Sequence, residues 1–94
     1  MYLQQSLIIL ILTLDEEIHI QRCLNSIYKL NCPIYIIDSG SKDETINIAK
    51  NYTNNIFFNF FESQKKQIEW FLKKETINDN KWILRLDADK YLPD

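Results

Sequence analysis

The chain has 94 residues, a formal charge of −2, 46% hydrophobic and 26% charged residues, which is the composition of one small globular domain, residues 1–94. Its 11 Lys and Arg are scattered apart from the adjacent pairs Lys65-Lys66 and Lys73-Lys74. That balance excludes nucleic acid or an anionic membrane as the principal partner.

The first predicted element is a strand, Leu7–Thr13, whose continuous apolar run (LIILILT) suggests burial on both faces. No basic residue precedes it and no small-residue cleavage site follows, so it does not read as a signal peptide. It is also far below the ~20 apolar residues that a spanning helix needs. A helix follows, with Ile20, Cys23, Leu24, Ile27 and Asn31 on one stripe. His19, the single histidine, reads as a surface residue. Cys23 and Cys32 carry neither CxxC spacing nor a His pattern and fit reduced thiols of a cytoplasmic protein.

The second strand is Ile34–Asp38, followed by the tight turn Ser39-Gly40-Ser41. Ser41-Lys42-Asp43-Glu44 matches the S-x-x-E capping box and starts a second helix over 43–52. A third strand is expected over 56–60, inside the aromatic run Phe57-Phe58-Asn59-Phe60-Phe61. The third helix has Gln64, Ile68, Phe71, Leu72 and Glu75 on one stripe, with Lys73-Lys74 on a solvated face. The fourth strand is Trp82–Asp87, and Trp70 and Trp82 are expected to pack against the sheet.

Strand and helix in strict alternation imply a parallel sheet covered by helices on both faces, an α/β fold of Rossmann-like type. Ligands of such sheets sit beyond the carboxyl ends of the strands. Those ends read TLDEE, DSGSKDET, NFFESQKK and DADK, three of them rich in carboxylates. The single glycine, Gly40, lies after the second strand, so neither G-x-G-x-x-G nor a P-loop is present and phosphate cradling by a Gly-rich loop is excluded. Asp87 and Asp89, if extended, project to one side about 6.6 Å apart at ~3.3 Å per residue. Two carboxylates so close repel unless a cation lies between them, and carboxylate oxygens suit Mg²⁺ or Mn²⁺. Asp38 either organises its turn by accepting backbone N–H bonds or accepts from a base or ribose.

Together, LTLDEE with RCLNSI, IIDSGSKDET, FESQKKQ and WILRLDADKYLPD resemble the four blocks of the inverting glycosyltransferases of family 2, which have the GT-A fold. The group most similar in flavour adds sugars to lipopolysaccharide core and other bacterial surface glycans. The resemblance implies a nucleotide-sugar donor, usually UDP-linked, and a glycan or lipid-linked acceptor. By the same resemblance Thr13 and Glu16 or Glu17 line the nucleotide pocket, Asp38 hydrogen-bonds the base and Lys65 approaches the nucleotide. Asp87 contacts ribose or donor sugar, and Asp89 ligates a divalent cation (Mn²⁺ or Mg²⁺) on the diphosphate, with Asp87 beside it. The implied location is cytoplasmic, with peripheral association at the inner membrane face.

The sequence departs from the family at Asp15 and Lys66, where Asn is common, and at Glu44, where Gly is frequent. It also stops five residues after Asp89. The expected fold is therefore a GT-A sheet truncated after its fourth strand, without the general base that deprotonates the acceptor. Association with a separate C-terminal half is expected to complete it. The rival readings are a non-catalytic, partner-dependent remnant and a nucleotidyltransferase; the latter normally brings a Gly-rich basic loop where this chain has TLDEE.

Overall fold

The computed structural model describes residues 7–74 and 82–90. Its elements alternate as β1 (Leu7–Thr13), α1 (Ile20–Tyr28), β2 (Ile34–Asp38), α2 (Thr45–Ala49), β3 (Ile56–Phe58), α3 (Gln64–Lys74) and β4 (Trp82–Asp87). All strand pairs are parallel and the order is β3-β2-β1-β4. The α/β sheet with helices on both faces is the one expected from the alternation of elements.

Two apolar layers sandwich the sheet. On one face α1 and α2 lay Ile20, Cys23, Leu24, Ile27 and Ala49 over Ile9, Ile11, Ile34 and Ile36. On the other, α3 lays Phe71, with Ile68 and Trp70, over Leu10 and Ile37. The period-two alternation of β1 and β2 therefore feeds both layers, which is why β1 has almost no polar residue. Both cysteines are buried and unpaired.

Several expectations need correction. The stripe of α1 ends before Asn31, because Asn31 takes a left-handed φ of 61° just beyond the helix, a conformation Asn tolerates well. The capping box at Ser41 and Glu44 does not form. Ser41 Oγ donates to Asp38 and accepts the N–H of Asp15, and Glu44 makes no side-chain cap bond, so α2 starts at Thr45 and is short. β3 ends at Phe58, since its partner β2 ends at Asp38 and then turns through Ser39 and Gly40. On α3 the inward polar residue is Gln67, not Gln64, and Leu72 is 43% exposed. Gln67 is buried because its amide is matched: it accepts from Asn59 and donates to Ser39 Oγ and the Asn59 carbonyl. Glu75 of the expected stripe lies outside the described residues. Trp70 packs in the second layer, with Lys74 Nζ 5.6 Å from its ring, but Trp82 is 75% exposed at the start of β4. His19 is half-buried as the residue before α1.

Candidate functional site

Because every strand is parallel, all four carboxyl ends meet at one edge of the sheet. The chain leaves β1 toward β2 on one side and returns as β4 on the other, so the crevice between β1 and β4 is the topological switch point, the usual ligand position in such sheets. A cleft of about 260 Å³ opens there, with Thr13, Glu16, Ser39, Gln64, Arg85 and Asp87 as its polar lining and Leu12, Leu14 and Phe61 as its apolar part.

The loops after β1 and β2 are tied to each other. The N–H groups of Asp15, Glu16 and Glu17 donate to Ser41 Oγ, Thr45 Oγ1 and Asp43 Oδ2. In return, the N–H groups of Lys42 and Glu44 donate to Asp15 Oδ1 and Glu17 Oε1. The left-handed φ of 53° at Asp15 turns its backbone into this exchange. At the root of the second loop Asp38, 4% exposed, accepts from Thr13 Oγ1 at 2.6 Å, from Ser41 Oγ, and from the N–H groups of Gly40 at 3.0 Å and Ser41 at 2.7 Å. Gly40 has φ 113°, open only to glycine at low cost, and that allows both N–H groups to point back at the carboxylate.

Much of the carboxylate wealth after β1 and β2 thus holds loops together. Asp15, Glu17 and Asp43 bridge the two loops, and Asp38 organises its turn. Glu17 is exposed and directed at the second loop, away from the cleft lining, and Lys65 on α3 is exposed and also outside that lining. Thr13, Glu16 and Asp87 line the cleft. β4 stops at Asp87, and the next residues form a turn closed by the Lys90 N–H on the Asp87 carbonyl at 2.9 Å. The extended geometry expected for Asp87 and Asp89 is therefore not found. Ala88, 2% exposed, anchors that turn in the core, while Asp89 is exposed.

Arg85 is the cleft residue that the sequence reading missed. Its Nη1 lies 2.8 Å from Asp87 Oδ1. The signal for it was legible: Ile83, Arg85 and Asp87 alternate along β4, so an arginine two residues before Asp87 must share its face. Ser39 was missed as well, because only the fold brings Gln67 of α3 onto its hydroxyl.

The remaining acids feel one another. Glu16 is raised from its ordinary value, first by burial, which His19 partly opposes, and then by the negative charges of Asp89, Asp43 and Asp87. Burial, followed by the charges of Asp89, Asp87 and Glu16, pushes the Cys23 thiol up to about 11. Asp43 sits low despite some desolvation, because the Thr45 hydroxyl and N–H and the Glu17 N–H donate to it. A raised Glu16 pKa means that the fold favours its protonated form. Its contribution to stability is complete below the unfolded value, near 4.5, and is lost as pH rises through the folded value. Glu16→Gln should therefore be more stable than wild type at pH 7, with the advantage vanishing near pH 4, as read from urea midpoints. An equal difference at both pH values would contradict this.

Among the described residues, no three His, Cys, Asp or Glu side chains are gathered to hold a metal ion by themselves. Asp89 and Glu16 nevertheless supply hard oxygen donors, the type that Mg²⁺ and Mn²⁺ take while keeping several other oxygens in their shell.

Comparison with known proteins bears on the family and the fold. The family model described as "Glycosyl transferase family 2" matches residues 8–94. An uncharacterized glycosyltransferase of Rickettsia typhi is 30% identical over 82 residues, 87% of this chain and 27% of that protein. One from Rickettsia bellii is 32% identical over the same length and shares. The chain thus spans about a quarter of the length of these relatives. The crystal structure of S. aureus TarS superposes with a TM-score of 0.68 at 25% identity, over 92% of this chain and 17% of that one.

Proposed function

Because the chain belongs to glycosyl transferase family 2, we propose that residues 1–94 form the part of a glycosyltransferase domain that binds a nucleotide-sugar donor, UDP-linked, in the cleft at the β1–β4 crevice. The observation that carries this reading is the convergence on one cleft of Thr13, Ser39, Arg85 and the aspartate that ends β4, with Asp89 one turn beyond.

The chain's own residues would divide the donor between them. The apolar part of the cleft (Leu12, Leu14 and Phe61) suits the base, and Asp87 offers an acceptor for ribose hydroxyls. Asp38, behind them, keeps the Ser39–Ser41 turn in shape, and Glu16 faces the diphosphate side with Asp89. A divalent cation at Asp89 would supply the positive charge that lets a diphosphate approach this acidic edge and that stabilises the departing nucleoside diphosphate. Lys65 is placed by this reading at the outer rim of the site. The acceptor is a surface glycan or lipid-linked sugar, as in lipopolysaccharide biosynthesis, reached at the cytoplasmic face of the membrane. No helix among the described residues is long and apolar enough to cross a membrane.

The test is calorimetric titration of UDP and UDP-sugars with Mn²⁺ and again with EDTA. Binding that requires the cation is expected. No binding by a chain that melts cooperatively would overturn the proposal. A second reading, a module that works only against a partner, is favoured by Phe58, Phe60, Phe61 and Trp82, each more than half exposed. Concentration-dependent association without nucleotide binding would select it.

A further inference from the structure

Arg85 lines the cleft, yet the division of the donor described above gives it no task. β4 pairs with β1 in the register Leu10↔Arg85 and Leu12↔Asp87, so both side chains rise on the α3 face beside the crevice. The guanidinium donates from Nη1 to Asp87 Oδ1 at 2.8 Å, with the two side chains 32% and 51% exposed. Among the described residues Asp87 Oδ2 accepts no hydrogen bond, and Arg85 is the one cation in the cleft lining. Lys66 is paired with Glu62 at 2.8 Å, on the exposed side of α3.

The cleft, about 260 Å³, is smaller than the ~300–1,000 Å³ typical of pockets for drug-sized ligands. It fits the nucleoside end of a donor and not the whole molecule. On the donor-site reading, ribose hydroxyls would meet Asp87 and the diphosphate would lie outward, toward Asp89.

We propose that Arg85 is a positioning residue that separates the tasks of the two aspartates. It holds Oδ1 of Asp87, so that Oδ2 is fixed as acceptor for the ribose hydroxyls, and its charge keeps a divalent cation off Asp87 and on Asp89. The inference rests on the donor-site reading. Its physical basis is simple. A guanidinium in a charge-assisted bond fixes one carboxylate oxygen and leaves the other a strong acceptor. A divalent cation on the same carboxylate would lie within a few Å of a like charge and be disfavoured there by repulsion.

The experiment compares UDP with 2′-deoxy-UDP by calorimetry in Mn²⁺, for wild type, Arg85→Gln and Arg85→Lys, and follows Mn²⁺ alone by electron paramagnetic resonance. Wild type should prefer UDP by about tenfold or more, the worth of one hydrogen bond to a charged acceptor. Arg85→Gln should bring that ratio close to one and bind Mn²⁺ alone more tightly, since Asp87 becomes available to it. Arg85→Lys should keep part of the ribose preference, and it decides the matter if the Gln variant does not melt cooperatively. A variant that loses the guanidinium yet keeps both the wild-type ratio and the wild-type Mn²⁺ affinity overturns the inference alone. Failure of folded wild type to bind UDP overturns the donor-site reading and this inference with it.

Discussion

Asp38→Ala is expected to lower the unfolding free energy by about 3–4 kcal/mol, from the loss of charge-assisted hydrogen bonds and the burial of unmatched donors. Four donors converge on this 4%-exposed carboxylate: the hydroxyls of Thr13 and Ser41 and the N–H groups of Gly40 and Ser41. The hydroxyls can rotate to other partners, but the two N–H groups are held by the turn, in which Gly40 has φ 113°. At ~4–8 °C per kcal/mol for a domain of this size the melting temperature should fall by about 12–32 °C. Asp38→Asn provides the control. Its carbonyl oxygen still accepts the backbone N–H groups, and its amide can donate to hydroxyls that turn to accept, so a loss of only ~1–2 kcal/mol is expected. If Ala and Asn variants unfold at the same urea midpoint as wild type, Asp38 does not organise the turn.

Asp89→Asn should behave in the opposite way. Asp89 is exposed and makes no hydrogen bond among the described residues, so the fold does not depend on it. Its charge is one of the reasons Glu16 and Cys23 are pushed up, and removing it relieves both groups. The variant should melt no lower than wild type. Its affinity for UDP in Mn²⁺ should nevertheless drop about 100-fold, a loss of ~3 kcal/mol, because an amide oxygen is a poor substitute for a carboxylate as ligand to a hard cation. Binding measured in EDTA should not change between the two proteins. Unchanged affinity in Mn²⁺ would remove Asp89 from the site; a drop equal in Mn²⁺ and EDTA would make it a direct contact instead of a cation ligand. Together the two substitutions would separate an acid that shapes a loop, at the end of β2, from one proposed to serve the ligand, two residues beyond the end of β4.

That separation shows what was legible in the chain itself. Three of the four strands, Leu7–Thr13, Ile34–Asp38 and Trp82–Asp87, have the expected bounds, and in β1 and β2 burial on both faces leaves no ambiguity about where polarity resumes. The parallel order followed from alternation with helices, and the edge that carries the cleft followed from the parallel order. Family membership was legible because four sequence blocks recur in order along the alternating elements, most of them at strand ends.

The use of each carboxylate was decided only by the tertiary structure. Sequence spacing could place Asp15, Glu17, Asp38 and Asp43 at the sheet edge, but their donors come from residues 25 to 27 positions away, in the other loop or at the end of β1, or from the turn itself. Gln67 lies outside the expected stripe of α3 and is buried, because its partners Asn59 and Ser39 arrive from just beyond the ends of β3 and β2. Trp82 looked like packing and is exposed, because β4 is an edge strand among the described residues. Hydrophobic periodicity is a property of neighbours along the chain and survives in any folded context. Whether a polar group is matched depends on donors brought from elsewhere, and no local pattern records that.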